Sequence, residues 1–229
     1  MSAGYQTQSA ATEPFVAAAN KVRGDARGNG RAVLANIYEE DINIAVWQRE
    51  LSLTLLESVD RFVMNKPTFE TAFTTTPGRA PDALREILAD VGYSELSANI
   101  VALVQMFCDL FGLKRAGLRL AILDHAMCPR FHVDKVPCRL VTTYYGVATE
   151  WLPHAAVERI HLGVRNAGRD DAQTGLFRDP SEIRQLQPGD VALLKGESWE
   201  GNEYAGLVHR SPAVVSGANR LLLSLDFCD

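Results

Sequence analysis

The sequence has few cysteines, no excess of basic charge, no long apolar run and no internal repeat. Its four cysteines, Cys108, Cys128, Cys138 and Cys228, are irregularly spaced. The chain is large enough to need no covalent staples, so reduced thiols are expected and a disulfide framework is not. Lys and Arg number 23 against 28 Asp and Glu, a formal net charge of -5. That balance leaves no field to hold a phosphate backbone and argues against a nucleic-acid partner. No segment reads as the roughly 18 consecutive apolar residues of a bilayer span, and residues 1–14 are polar and alanine-rich. No membrane partner and a cytoplasmic location are therefore expected.

What is present suffices for one substantial core: 229 residues, 47% of them hydrophobic. A single compact domain is expected, in three stretches. Residues 1–31 carry Gly24, Gly28 and Gly30 without a sustained apolar period and read as a flexible arm. Residues 32–117 read as a mainly helical layer. Leu51, Leu55, Leu56, Val59 and Val63 recur at helical spacing, predicting a helix over Leu51–Met64. A second is predicted over Pro81–Val91, with proline in its first turn and Gly92 closing it, and a third over Ser97–Phe111, ended by Gly112. The apolar faces of the first and third suit either a core layer or the face of a homodimer. After Gly117 the texture changes. LRLAILD, VPCRLVTTYY, GDVALLKG and NRLLLSLDF are short, rich in Val, Leu, Thr and Tyr, and bounded by Gly, Pro or Asp. They predict an antiparallel β core over residues 118–229. The polar stretch from Gly163 to Pro180 reads as a functional loop.

The chemistry-bearing residues begin in CPRFHVD, which places His132 and Asp134 two apart. On an extended strand such residues share a face, so an imidazole and a carboxylate project together. They form two-thirds of the facial triad that holds iron(II) and leaves three positions open. His-x-Asp alone arises often by chance. The segment VHRSPAVVSGANRLLLSLDF adds weight, because it supplies His209 and, after ten intervening residues, Arg220.

This order and spacing resembles the signature of the iron(II)/2-oxoglutarate oxygenases, particularly prolyl-hydroxylase-like members, over about Leu118–Phe227. The resemblance implies an α+β fold with a double-stranded β-helix (jelly roll) core under an N-terminal helical layer. It implies Fe(II) held by His132, Asp134 and His209, with both imidazoles neutral, so that metal binding weakens as pH falls toward the histidine pKa. It implies 2-oxoglutarate as cosubstrate, its distal carboxylate paired bidentately with Arg220, and hydroxylation of a small-molecule or protein substrate. Ser224, four residues on and on the same strand face, is a further donor to that carboxylate. The superfamily usually puts its hydroxyl two residues past the basic residue, where this chain has Leu222, so the cosubstrate rests on less than the metal does. Tyr144 or Tyr145 could add a phenol, and Tyr144 shares a face with Thr142. Arg139 and Arg210 are reserve partners for an anion. Asp at position 134, rather than Ala or Gly, argues against halogenation. CPRFHVD, TEWLP and RLLLSLDF also resemble an uncharacterised bacterial family known by a domain-of-unknown-function label, which implies a link to metal supply and no assigned substrate.

Other readings stand beside this one. Cys128, His132, Asp134 and Cys138 lie close enough for structural zinc, although they lack a Cys-x-x-Cys knuckle. Trp151 and Trp199 could rim a cavity mouth. Arg220 could simply pair with Asp226 or Glu197. His125, His154 and His161 are left out of the site. A non-catalytic metal-binding or metal-homeostasis protein, holding iron or zinc on the same fold, and a scaffold or interaction protein are the alternatives to an oxygenase.

Overall fold

The structure is a computed structural model that describes residues 22–89, 91–163 and 170–228. Its helices follow their apolar periods. α1 (Leu53–Asn65) begins where the Ser52 side chain accepts a hydrogen bond from the Leu55 N–H, and it buries Leu55, Val59, Phe62 and Val63. α2 (Ala80–Leu88) has proline in its first turn and stops at Ala89, which takes a left-handed conformation (φ 46°) before Gly92 is reached. α3 (Ser94–Phe111) ends on Gly112 at φ 65°, the left-handed cap that glycine takes without strain. By length and composition alone α3 could cross a membrane. Its Leu96, Ile100, Leu103, Val104, Phe107 and Cys108, however, pack into the core.

Ten strands are described: β1 (Gly24–Gly28), β2 (Ile42–Trp47), β3 (Glu70–Thr75), β4 (Ala116–Leu123), β5 (Cys138–Tyr145), β6 (Glu150–Leu152), β7 (Arg184–Gln185), β8 (Val191–Lys195), β9 (Val208–Arg210) and β10 (Arg220–Phe227). Seven form one sheet in the order β1-β2-β8-β5-β10-β4-β3, antiparallel except for the β1–β2 pair, and three form a second in the order β7-β6-β9. Alternation along each strand explains the long apolar runs. Leu221, Leu223 and Leu225 of β10 join Leu118, Leu120 and Leu140 against the helices. Their neighbours Leu222, Ala121 and Val141 face the other way and pack with Trp151 of the second sheet. The main sheet is therefore buried on both faces, helices on one side and the small sheet on the other.

The four predicted β segments all form strands. The boundaries of the front half differ from expectation. Gly24–Gly28, read as arm, pairs in parallel with β2, and Arg31–Tyr38 is a 3-10 helix burying Leu34 and Ile37. Backbone pairing holds β1, so its side chains carry no apolar pattern to read. Residues 1–21 of the arm lie outside the described residues. The helical layer likewise contributes β2 and β3 to the main sheet. Residues 164–169 of the polar Gly163–Pro180 stretch also lie outside the described residues. Beyond them Asp171 is buried, and its carboxylate accepts from the Phe131 N–H and from Arg210.

Candidate metal centre

His209 lies on β9, opposite Trp151 of β6, and on its other side it forms a single antiparallel bridge with His132. The expected strand at CPRFHVD is thus reduced to one bridged residue. Two reciprocal N–H to O=C bonds of 3.0 Å each fix that bridge, and cross-strand partners share a face. The imidazoles emerge side by side, ring centres 4.5 Å apart. Each ring is oriented by a backbone carbonyl: His132 Nδ1 lies 2.9 Å from the Arg130 oxygen and His209 Nδ1 3.2 Å from that of Leu207. Facing acceptors, both Nδ1 atoms carry the proton, and both Nε2 lone pairs point to the carboxylate of Asp134. His132 Nε2 is 3.8 Å from Asp134 Oδ1, and His209 Nε2 is 3.4 Å from Oδ2. The three ligand atoms lie within 4.8 Å of one another. Two lone pairs and an anion converging on one point repel each other until a cation sits between them, so this donor set fits a divalent metal.

The loop carrying Asp134 is held by backbone. The Glu197 N–H donates to the Asp134 carbonyl and the Gly196 N–H to that of Pro137, each at 2.9 Å. Gly196 is required here, because a Cβ at this position would stand 2.0 Å from the Val136 oxygen and 2.8 Å from that of Asp134. Burial opposes ionisation of Asp134, but once the imidazoles take up a second proton on Nε2 the hydrogen bond and charge of His209, then Arg139 and His132, outweigh it and hold the carboxyl at about 2. Burial, and then the neighbouring His209, lowers the pKa of His132 below the ordinary imidazole value.

The two histidines of the triad line a cavity of about 110 Å³ whose wall also carries Arg220, Ser224, Arg139 and Cys128. Arg220 is 1% exposed. Among the described residues its guanidinium donates only to hydroxyls, those of Thr149 (2.8 Å), Thr143 (3.3 Å) and Ser211 (3.4 Å), and its Nε has no partner. Desolvation alone brings its pKa down to about 10, and no carboxylate among the described residues pairs with it. A buried cation with an unused donor beside a metal-ready triad fits an anionic cosubstrate. A larger cavity, about 640 Å³, opens between α2 and α3. Leu84, Leu88, Tyr93 and Val101 line it, and it holds no group of this site.

Of the predicted residues, His132, His209, Arg220 and Ser224 line one cavity, and Asp134 meets the two histidines beside it. Tyr144 does not. It shares a face with Thr142 as read, but that face is the helix-packed one, where its hydroxyl donates to Asn99 Oδ1 at 2.8 Å within the core. Strand phase could not be read from a run apolar on both faces. Cys138 is buried on the same wrong face, so the cysteine zinc site cannot assemble. Trp151 is buried between the sheets, and Trp199 packs against Tyr38 and Phe111, so neither rims the cavity. Arg210 is taken up by Glu150 and Asp171. Asp226 pairs with Arg139 rather than Arg220. Sequence reading missed Thr143, Thr149 and Ser211, the hydroxyls that hold Arg220. Only Thr143 left a signal, lying four residues past Arg139 on the same strand face.

Comparison with solved structures agrees with this architecture. The dioxygenase for auxin oxidation in rice superposes with a TM-score of 0.51 at 11% identity, over 89% of this chain and 82% of the rice chain. At that identity the likeness speaks to fold alone. A putative oxygenase from Shewanella oneidensis gives 0.47 at 10% identity over 90% and 89% of the two chains. EvdO2 from Micromonospora carbonacea var. aurantiaca, complexed with 2-oxoglutarate, gives 0.42 at 11% over 91% and 96%. No protein of curated function matches the sequence. A family model described as "Protein of unknown function (DUF1826)" matches residues 28–226, and the chain belongs to that family.

Proposed function

We propose that the protein is a non-haem iron(II), 2-oxoglutarate-dependent oxygenase that hydroxylates a small-molecule or protein substrate, built on a double-stranded β-helix core. The observation that carries this reading is a metal-ready His-Asp-His set whose two histidines share one small cavity with a buried guanidinium that has no carboxylate partner among the described residues. The fold likeness to the rice dioxygenase is in keeping with it. His132, Asp134 and His209 would hold the metal. When bound, iron and 2-oxoglutarate would supply the means to activate dioxygen, the oxidant: one oxygen atom would go to the 2-oxo acid, giving succinate and carbon dioxide, and the other to the substrate as a hydroxyl. The chain's share is to bind and orient. Arg220 offers a preorganised fork to the distal carboxylate, with Ser224 on the same strand face as a further donor.

Arg220→Met tests the cosubstrate role. The substitution removes charge-assisted hydrogen bonds of about 1.5–3 kcal/mol, and so weakens 2-oxoglutarate binding by roughly 10- to 150-fold in anaerobic calorimetry with iron(II) present. Metal affinity stays at the parent value. Stability of the metal-free protein stays level or rises, because a desolvated and unpaired charge is removed. Parent-like 2-oxoglutarate affinity in this variant would refute the assignment.

A further inference from the structure

Among the described residues Arg139 is the one cation of the cavity in an ion pair with a candidate metal ligand, and it has two carboxylate partners. Its Nη1 donates to Asp134 Oδ2 at 2.9 Å. Its Nε and Nη2 grip both oxygens of Asp226, at 2.7 and 3.1 Å. Three of its five N–H donors are thus used, one on the metal-ligand carboxylate and two on Asp226 of β10. On that strand Asp226 shares the cavity face with Arg220 and Ser224.

A cation beside a metal site has a cost, since it repels the incoming metal ion and withdraws charge from the ligand. Asp226 offsets it: the trio Asp134, Arg139 and Asp226 carries one net negative charge, as a lone Asp134 would. With the charge balanced, what remains is geometric. A carboxylate with both oxygens free can chelate a metal through the pair; in Asp134 the guanidinium already binds Oδ2, the oxygen 3.4 Å from His209 Nε2, and competes with a metal for it, whereas Oδ1 has no guanidinium partner among the described residues.

We infer that Arg139 is a positioning residue that holds Asp134 to one-oxygen coordination, keeping open a metal position that a chelating carboxylate would fill, and that Asp226 anchors it. This rests on the metal-site reading above, and it ties the ligand's geometry to the strand that carries Arg220.

The test uses zinc as probe on the full chain, read by the infrared difference between zinc-bound and metal-free protein labelled with carbon-13 in the aspartate carboxyls. One-oxygen coordination separates the two carboxylate stretching bands widely, and chelation brings them together. The parent is expected to bind one zinc with wide separation. Arg139→Met, which keeps the aliphatic bulk and removes every donor, is expected to bind one zinc with a narrowed separation. Asp226→Asn, which keeps the guanidinium and loosens its anchor, is expected to fall between, and it carries the test alone if the first variant does not fold. Wide separation in both variants overturns the inference. Failure of the parent to bind zinc overturns the metal site itself, a different result.

Discussion

At the scale of single residues, the site is set by which atom each side chain has left over. Backbone carbonyls occupy Nδ1 of both histidines, so Nε2 is free for a metal. Asp134 is the most perturbed acid of the group, its carboxyl held at about 2 against about 3.9 in an unfolded chain. Because the folded value is the lower one, this carboxylate stabilises the fold fully above about pH 4, and the contribution is lost as pH falls toward 2. It is worth about 2 kcal/mol. In urea unfolding of the metal-free protein, the parent should lose about 2 kcal/mol more between pH 4.5 and 2.5 than Asp134→Asn does; equal losses would contradict the ion-pair account. Residue identity was the most legible level of the sequence. The meeting of His132, Asp134 and His209 near Arg220 was readable because the proposed metal and anion demand those types at restricted spacings. The hydroxyls of Thr143, Thr149 and Ser211 were not, because a threonine or serine serving a guanidinium looks like any other.

At the scale of elements, the strands of the C-terminal half were readable from their β-branched and leucine-rich runs, but their phase was not. Phase is what misplaced Tyr144: with both faces of the main sheet buried, polar-apolar alternation disappears and a strand does not reveal which side holds the chemistry. β1 was hidden for the opposite reason, since its glycine-rich chain is held by backbone pairing to β2. The loop bearing Asp134 depends on another element, the end of β8, where Gly196 admits the Asp134–Val136 backbone at a distance no side chain allows. Gly196→Ala should push that loop away and weaken zinc or iron(II) affinity by at least about tenfold, as a second-sphere change at a metal site does. The four main strands should still form. Calorimetric metal titration alongside far-ultraviolet circular dichroism checks both, and parent-like affinity would show that the loop finds its place without the glycine.

At the scale of the whole molecule, two layers flank one sheet and have separate tasks. The helices α1 to α3 bury the larger apolar cluster on one face, while the small sheet, whose β9 carries His209 and bridges to His132, covers the other. The broad α+β character and the helix-then-strand order were legible in composition and periodicity. The closing of β9 over β10, which brings His209 and Arg220 to one cavity, was not, because it follows from pairings that no local pattern records. That closing is also what the functional reading depends on most. Its most direct test is anaerobic titration of the purified protein with iron(II) and then 2-oxoglutarate, watching for the visible charge-transfer band of a chelated 2-oxo acid, with His132→Ala as control. The band should appear in the parent and be missing from the variant; its absence from a parent that still binds iron or zinc tightly would contradict the oxygenase and leave a metal-binding protein.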